Sequence, residues 1–413
     1  MKYFFKALLL FCVFAITSCN NSNAESFDDS YQEPTLSGEA LLLDLMVSHN
    51  PQTSGLSRQE VLEDLDYLIT YLHAYFPFLG VLYRDRGIDI EQLAIRTYNE
   101  IQGHFARHEY WDISSLFYFF RESFWRPMEG LGHFSMGNEP LDNTYLRPSE
   151  NPGGANAAVS VQSIEKDHIG MIRIPSFMPQ HQISQRGLLE EVSHYNHLII
   201  DIRGNGGGFS SPFTRALILP LLEEDMYLEI LAFTTTMEHR YYRPRLYYGS
   251  LHWTIDQAQT IHFTPIDQFL DEIALDPAMI HDIELFEYGA RAVYQFRAHR
   301  ARNPETNQME ISPVFSGKVW LVIDDMNFSA ATRFARFMRD LDLATLVGRT
   351  QGGSNGGHRM NFQLPNTGFW IHYDAINLSD RYGRSWEEYR IEPHIFHHDP
   401  INHILYLIET GNY

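Results

Sequence analysis

Two turns in this chain carry the residue types needed to attack a carbonyl and to hold the oxyanion that forms. The first follows residues 198–202, Leu-Ile-Ile-Asp-Ile, an apolar run rich in β-branched side chains that reads as a fully buried, parallel strand. It ends in Arg203-Gly204-Asn205-Gly206-Gly207-Gly208. Consecutive glycines cost backbone entropy and are expected where the main chain needs positive φ or approaches a ligand closely. At the carboxyl end of a buried strand such a loop can aim bare N–H groups at one point, as an oxyanion hole requires. A plain flexible turn fits the same composition. A phosphate cradle does not, because no Gly-Lys-Ser/Thr follows and the Rossmann glycine spacing with its distal acid is missing.

The second turn follows a predicted strand over 318–324 and reads Asp325-Met326-Asn327-Phe328-Ser329-Ala330-Ala331. A serine at a strand-to-helix junction has two readings. It can cap the helix. It can also be a nucleophile, with its Oγ exposed by the turn, the helix N-terminus favouring nearby negative charge, and small neighbours leaving room for substrate. His133, in Gly130-Leu131-Gly132-His133-Phe134, is a lone histidine among apolar residues. Such a residue is ordinarily structural; as a base it would need an acceptor for its second ring nitrogen. His397, His398 and Asp399 lack a second cluster at metal-ligand spacing.

These groups need a scaffold. The length of 413 residues is ample for a large core. Ser57 with Glu60 three residues on forms a capping box, and Val61, Leu62, Leu65, Leu68 and Leu72 follow at helical spacing. Further helices are predicted over 90–105 and 113–124, making residues 57–130 a helical N-terminal subdomain ahead of a domain over 131–413. A strand is predicted over 169–174, short helices over 187–194 and after the glycine loop, aromatic-rich strands around 241–248, and an amphipathic helical stretch over 267–299. Residues 346–357 read as a strand entering a second glycine-rich turn.

The amino terminus reads as a targeting segment over 1–18. Lys2 and Lys6 precede an apolar stretch over 7–16 that is short for a membrane span. Ile16-Thr17-Ser18-Cys19 resembles a bacterial lipobox, so Cys19 is the expected lipidation site and residues 19–56 a polar tether. This implies a cell-envelope protein held to the membrane through lipid alone. Cys12 and Cys19 are the only cysteines, which leaves the mature body without a disulfide, a cysteine nucleophile or a cysteine-rich metal site. The net charge of −21 argues against nucleic acid and anionic membrane surfaces as partners.

Residues 201–208, Asp-Ile-Arg-Gly-Asn-Gly-Gly-Gly, resemble the D-[LI]-R-x-N-x-G-G signature of the C-terminal processing (tail-specific) protease family of serine peptidases. That family includes the tricorn core proteases and the interphotoreceptor retinoid-binding protein relatives. Asn327 to Thr332 is similar to its T-x-S-A-A-E nucleophile segment, with Asn327 for Thr and Thr332 for Glu. Gly132-His133 match the Asp-Gly-His of the tricorn-like branch, with Leu131 in place of Asp. Weaker similarities cover 169–174, 347–353 and the Ile391-Glu392-Pro393 element, where Arg349, Arg390 and His394 depart from the family. Too few residues separate His133 from the 169–174 strand for a PDZ insert.

The resemblance implies an α/β, ClpP/crotonase-like catalytic core with a helical N-terminal subdomain. It implies a serine endopeptidase acting on peptides or unfolded segments, with Ser329 as nucleophile, His133 as base and Glu387 orienting the imidazolium. Gly207 and Ala330 would supply oxyanion N–H groups, and neither a metal nor an organic cofactor is required. One branch of the family uses a lysine after the serine; the four lysines here are Lys2, Lys6, Lys166 and Lys318, so that dyad is excluded. A non-catalytic binder of peptides or apolar ligands, an acyl-CoA enzyme of crotonase type and an envelope scaffold are the competing classes.

Overall fold

The computed structural model describes residues 55–137, 158–178, 187–235, 263–273, 275–353 and 359–413. Cys19, the tether up to residue 54 and the strands expected around 241–248 lie outside these residues.

The described chain begins with helices. Helix α1 (Arg58–Tyr75) starts on the predicted capping box: Glu60 N–H donates to the Ser57 hydroxyl, and the Ser57 N–H donates to the Glu60 carboxylate at 2.7 Å. Its buried stripe includes Val61, Leu65, Leu68 and Leu72. Helix α2 (Leu79–Arg86) follows, then α3 (Ile90–Phe105), capped by the Asp89 side chain, and α4 (Ile113–Phe120). The α1 face is tied to the core by Asp64, whose carboxylate accepts from the Asn366 N–H at 2.8 Å and the Thr367 N–H at 2.7 Å.

The strands are β1 (Ser135–Gly137), β2 (Ser160–Glu165), β3 (Ile169–Arg173), β4 (His197–Asp201), β5 (Met226–Thr234), β6 (Thr264–Pro265), β7 (Tyr288–Phe296), β8 (Arg300–Arg302), β9 (Met309–Ile311), β10 (Lys318–Ile323), β11 (Thr345–Gly348), β12 (Arg359–Gln363), β13 (Trp370–Asp374), β14 (Asn377–Asp380) and β15 (Ile395–Phe396). Six form a sheet in the order β15-β11-β10-β4-β3-β2, parallel except for β2. A three-stranded antiparallel sheet β1-β13-β12, a four-stranded sheet β14-β5-β7-β6 and the β8–β9 pair complete the set among the described residues.

Three later helices matter: α5 (Ile266–Ile273), α6 (Ala330–Asp340) and α7 (Pro400–Thr410). The alternation of side chains along a strand sends β4 and β10 residues to opposite faces. Leu198, Ile200, Leu321 and Ile323 share one cluster with Phe334, Phe337 and Met338 of α6; Ile199, Trp320 and Val322 share another with Ile404 and Leu407 of α7. This is why residues 198–202 read as an unbroken apolar run. Helix α6 is buried at every position from Ala330 to Met338. Truncating Phe334 would cost about 3–5 kcal/mol, so the turn preceding α6 rests on one of the best-packed elements in the molecule.

The helical expectation over 267–299 holds only for α5. Residues 288–296 form β7, paired with β5 along its whole length from Tyr288 opposite Thr234 to Phe296 opposite Met226. Tyr288, Val293, Tyr294 and Phe296 suit a pleated surface, and that pairing outweighs the local helical spacing. Tail-to-head, the fold is a mixed α/β architecture with a helical N-terminal region, as the resemblance implied.

Candidate active site

The glycine loop and the serine turn leave adjacent parallel strands, β4 and β10, at the same end of the sheet. Polar bonds lace them together. The Gly204 N–H donates to the Asp324 carboxylate at 3.1 Å, and the Phe328 N–H to the Asn205 carbonyl at 3.2 Å. Asn327 donates to the Ile202 carbonyl and accepts the Asp324 N–H. Asn327 therefore stands where the family pattern has threonine and ties the two turns directly.

The Asp-x-Arg-x-Asn pattern has a local physical account. Asp201 is buried and accepts charge-assisted bonds from Arg203 and from Arg173 of β3, at 2.8 and 2.6 Å. Asn205, fully buried, donates to the Ile174 carbonyl and accepts the Gly207 N–H at 2.8 Å. The loop is thus a braced structure rather than a flexible turn.

Ser329 lies at the start of α6 with φ 56° and ψ −119°. A non-glycine residue there is strained, and such strain persists only where the surroundings impose it. A helix cap adopts extended dihedrals and bonds the first-turn N–H groups. Ser329 does neither, since its side chain makes no capping bond. The residue is half-buried, so its hydroxyl is reachable, while Ala330 behind it is buried.

Gly207 packs against this turn at φ 100°. A β-carbon there would sit 2.7 Å from the Phe328 carbonyl oxygen, 2.8 Å from Ser329 Cβ and 2.9 Å from the Ala330 nitrogen. Any side chain would fill the space in front of Ser329. The expected donor role of Gly207 needs revision, because its N–H is engaged by Asn205 Oδ1.

His133 reaches the same place through another strained segment. Gly130, Gly132 and His133 have φ of 81°, 50° and 52°. The Trp125 indole N–H donates to the Phe134 carbonyl just after it. The His133 ring stands edge-on to Phe328, the residue preceding Ser329, with centroids 4.8 Å apart. Ser329 and His133 are thereby brought into one neighbourhood from positions nearly two hundred residues apart.

The acid on His133 is Asp374, not Glu387. Nδ1 of His133 and Oδ2 of Asp374 are 2.7 Å apart, both residues buried. The sheet brings the two near one another: Ser135 pairs with His372 in the antiparallel β1–β13 ladder, with His133 two residues before that pair in the preceding turn and Asp374 two residues after it at the end of β13. Glu387 is nevertheless close. Its carboxylate accepts the Gly132 N–H at 3.3 Å and so braces the histidine segment. The neighbouring Glu388 faces elsewhere, bound to Arg84 and His281. Sequence reading missed Asp374, a single acid ending the strand Trp-Ile-His-Tyr-Asp; its one available signal was that a strand could pair with residues 135–137.

Chemically, the arrangement offers a strained and accessible serine hydroxyl, an imidazole whose Nδ1 is held by a buried carboxylate, and the N–H of Ala330 at a helix N-terminus. These are the parts of an acyl-transfer site.

The family model for peptidase family S41 matches residues 168–396, more than half of the chain. No curated protein matches the chain in sequence. Among solved structures, a peptidase candidate from Parabacteroides merdae is similar at 16% identity and TM-score 0.51, over 86% of this chain and 96% of its own. Mature CPAF is similar at 12% identity and TM-score 0.51, over 86% of this chain and 95% of its own. These likenesses are of fold. The family match, which spans the glycine loop and the Ser329 turn, carries the assignment: the chain belongs to peptidase family S41, and is a serine-type peptidase.

Proposed function

We propose that the protein is an endopeptidase that cleaves peptides or unfolded protein segments with Ser329 as nucleophile and His133 as general base. The observation that carries this reading is the backbone of Ser329, held at φ 56° without any capping bond from its side chain. The fold confers no benefit on a strained serine unless its hydroxyl is wanted at that point. His133 takes the Ser329 proton through Nε2 and returns it to the leaving amine. Asp374 fixes the tautomer in which Nδ1 carries the proton, and it stabilises the imidazolium that forms. The Ala330 N–H stabilises the tetrahedral oxyanion, and Gly207 keeps the space for it open. Glu387, assigned from sequence as the orienting acid, acts one step back by holding the Gly132 peptide.

The lipobox-like sequence ending in Cys19 supports placing the enzyme in a bacterial cell envelope, held by acyl chains. The experiment for the catalytic reading is turnover of a denatured casein-like protein by wild type, Ser329→Ala and His133→Ala. Both variants should lose hydrolysis, and the double variant should be scarcely worse than either. Equal peptide binding by all three with cleavage by none would favour a binding protein.

A further inference from the structure

A cavity of about 400 Å³ opens at the carboxyl end of the parallel sheet, where β3, β4, β10 and β11 finish. Its wall includes Arg173, Arg203, Gly204, Asp324 and Arg349, together with Pro400 at the start of α7. Strand register sets the first of these: Arg173, the last residue of β3, stands opposite Asp201, the last of β4. Arg203 and Arg349 follow the ends of β4 and β11 within two residues. Alternation along the strands sends Arg173 and Asp201 to the face of Ile169, Met171 and Ile199, which pack with Ile404 and Leu407 of α7. Ser329 opens α6, which packs on the opposite face. The cavity is therefore separate from the acyl-transfer site, although Gly204 and Asp324 belong to the two turns that build that site.

The wall holds more cation than the sheet end needs. Arg203 binds both oxygens of the buried Asp201, through Nε at 2.9 Å and Nη2 at 2.8 Å, and that fork alone satisfies the carboxylate. Arg173 adds a second guanidinium to the same acid through Nη1, and among the described residues its Nε and Nη2 make no bond. Arg349 pairs with Asp325 at 2.9 Å, both about half exposed, and such a pair is worth little in solvent. Asp324 is already engaged by the N–H groups of Gly204 and Met326, and Asp399, just before α7, by the Asn402 amide. His397 and His398 bring two imidazoles to the same wall. We propose that this cavity binds a small oxyanion, a phosphate or carboxylate group, between Arg173, Arg203 and Arg349. Planar guanidinium forks match the paired oxygens of such groups, and the positive end of the α7 dipole at Pro400 favours the same charge. The proposal does not depend on the catalytic reading of Ser329.

The test is isothermal titration calorimetry of the full-length protein with sodium phosphate and, separately, with sodium citrate, at an ionic strength fixed with chloride. One saturable site per chain is expected for at least one of the two anions, and the stronger arm tells a phosphate ligand from a carboxylate. Arg173→Gln and Arg349→Gln should each weaken that binding by about tenfold or more. Arg291→Gln, which removes an exposed cation on β7 outside the cavity wall, should leave it unchanged. Ser329→Ala should bind as wild type does. The proposal is overturned if neither anion saturates, or if both cavity variants bind as tightly as wild type. It is also overturned if Arg291→Gln weakens binding as much as they do, which would reduce the effect to overall charge, or if Ser329→Ala abolishes binding, which would put the anion in the active site. Should Arg173→Gln fail to fold for want of its bond to Asp201, the half-exposed Arg349→Gln decides alone.

Discussion

His133 and Asp374 are separated by 241 positions in sequence and by 2.7 Å between Nδ1 and Oδ2. The β1–β13 register that joins them makes their pairing a property of the fold rather than of flexible side chains. Asp374→Asn should therefore leave the protein folded and lower kcat by about 10⁴-fold, because an amide selects the wrong imidazole tautomer. Glu387→Gln acts through the Gly132 peptide and should cost only about 10- to 100-fold. Steady-state kinetics of the two variants checks the ranking, and the reverse order would return the orienting role to Glu387.

Gly207 makes a separate prediction. Its φ of 100° is unfavourable for any side chain, and a methyl there would press on the Phe328 carbonyl and on Ser329 Cβ. Gly207→Ala should nearly abolish hydrolysis, whereas Gly206→Ala, where an added methyl meets nothing within 4 Å, should be mild by comparison. Rate measurements on both variants, with circular dichroism to confirm folding, test this.

How much of this was legible in the sequence depended on how local the signal was. The α1 capping box, helix α3 and the buried strands β4 and β10 are written in nearby residues, and the structure has them within a residue or two of the expected places. The glycine loop and Ser329 turn were legible because strand, turn and helix follow one another directly. Strand β7 was misread because its local spacing also fits a helix, and only the partner strand β5 decides between them. Asp374 was invisible for a stronger reason: no residue near it suggests a role, and its function comes from register with a strand beginning at Ser135.

The segment that carries Glu387 is pinned by charge. Arg84 binds both Asp282 and Glu388, at 2.7 and 2.8 Å, and His281 also meets Glu388. Burial raises the Glu388 pKa, but the bonds from Arg84 and His281 outweigh it and leave the carboxyl below its ordinary value of 4.5. A depressed folded-state pKa adds stability above the unfolded value, which is lost as pH falls through the folded one. Glu388→Gln should thus lower the melting temperature at pH 7, and the gap from wild type should close in acid below about pH 4. Thermal melts across pH 3–7 measure it, and a gap that stays constant would remove the ion pair from the account.

Cys19 yields a prediction of its own. If acyl chains on Cys19 hold the enzyme, Cys19→Ala should release it from the membrane fraction or leave it unprocessed. Intact-mass analysis of the membrane-bound form should show a lipid-modified cysteine at the mature N-terminus; an unmodified Cys19 would end the proposal.

The central claim is that the strained hydroxyl of Ser329 is the nucleophile. The most direct measurement is stoichiometric labelling with a serine-directed fluorophosphonate, read by intact mass and peptide mapping. A single adduct on the Ser329 peptide is expected, with labelling lost in Ser329→Ala and strongly slowed in His133→Ala. An adduct on another residue, or a Ser329→Ala enzyme that hydrolyses denatured protein at the wild-type rate, would contradict it.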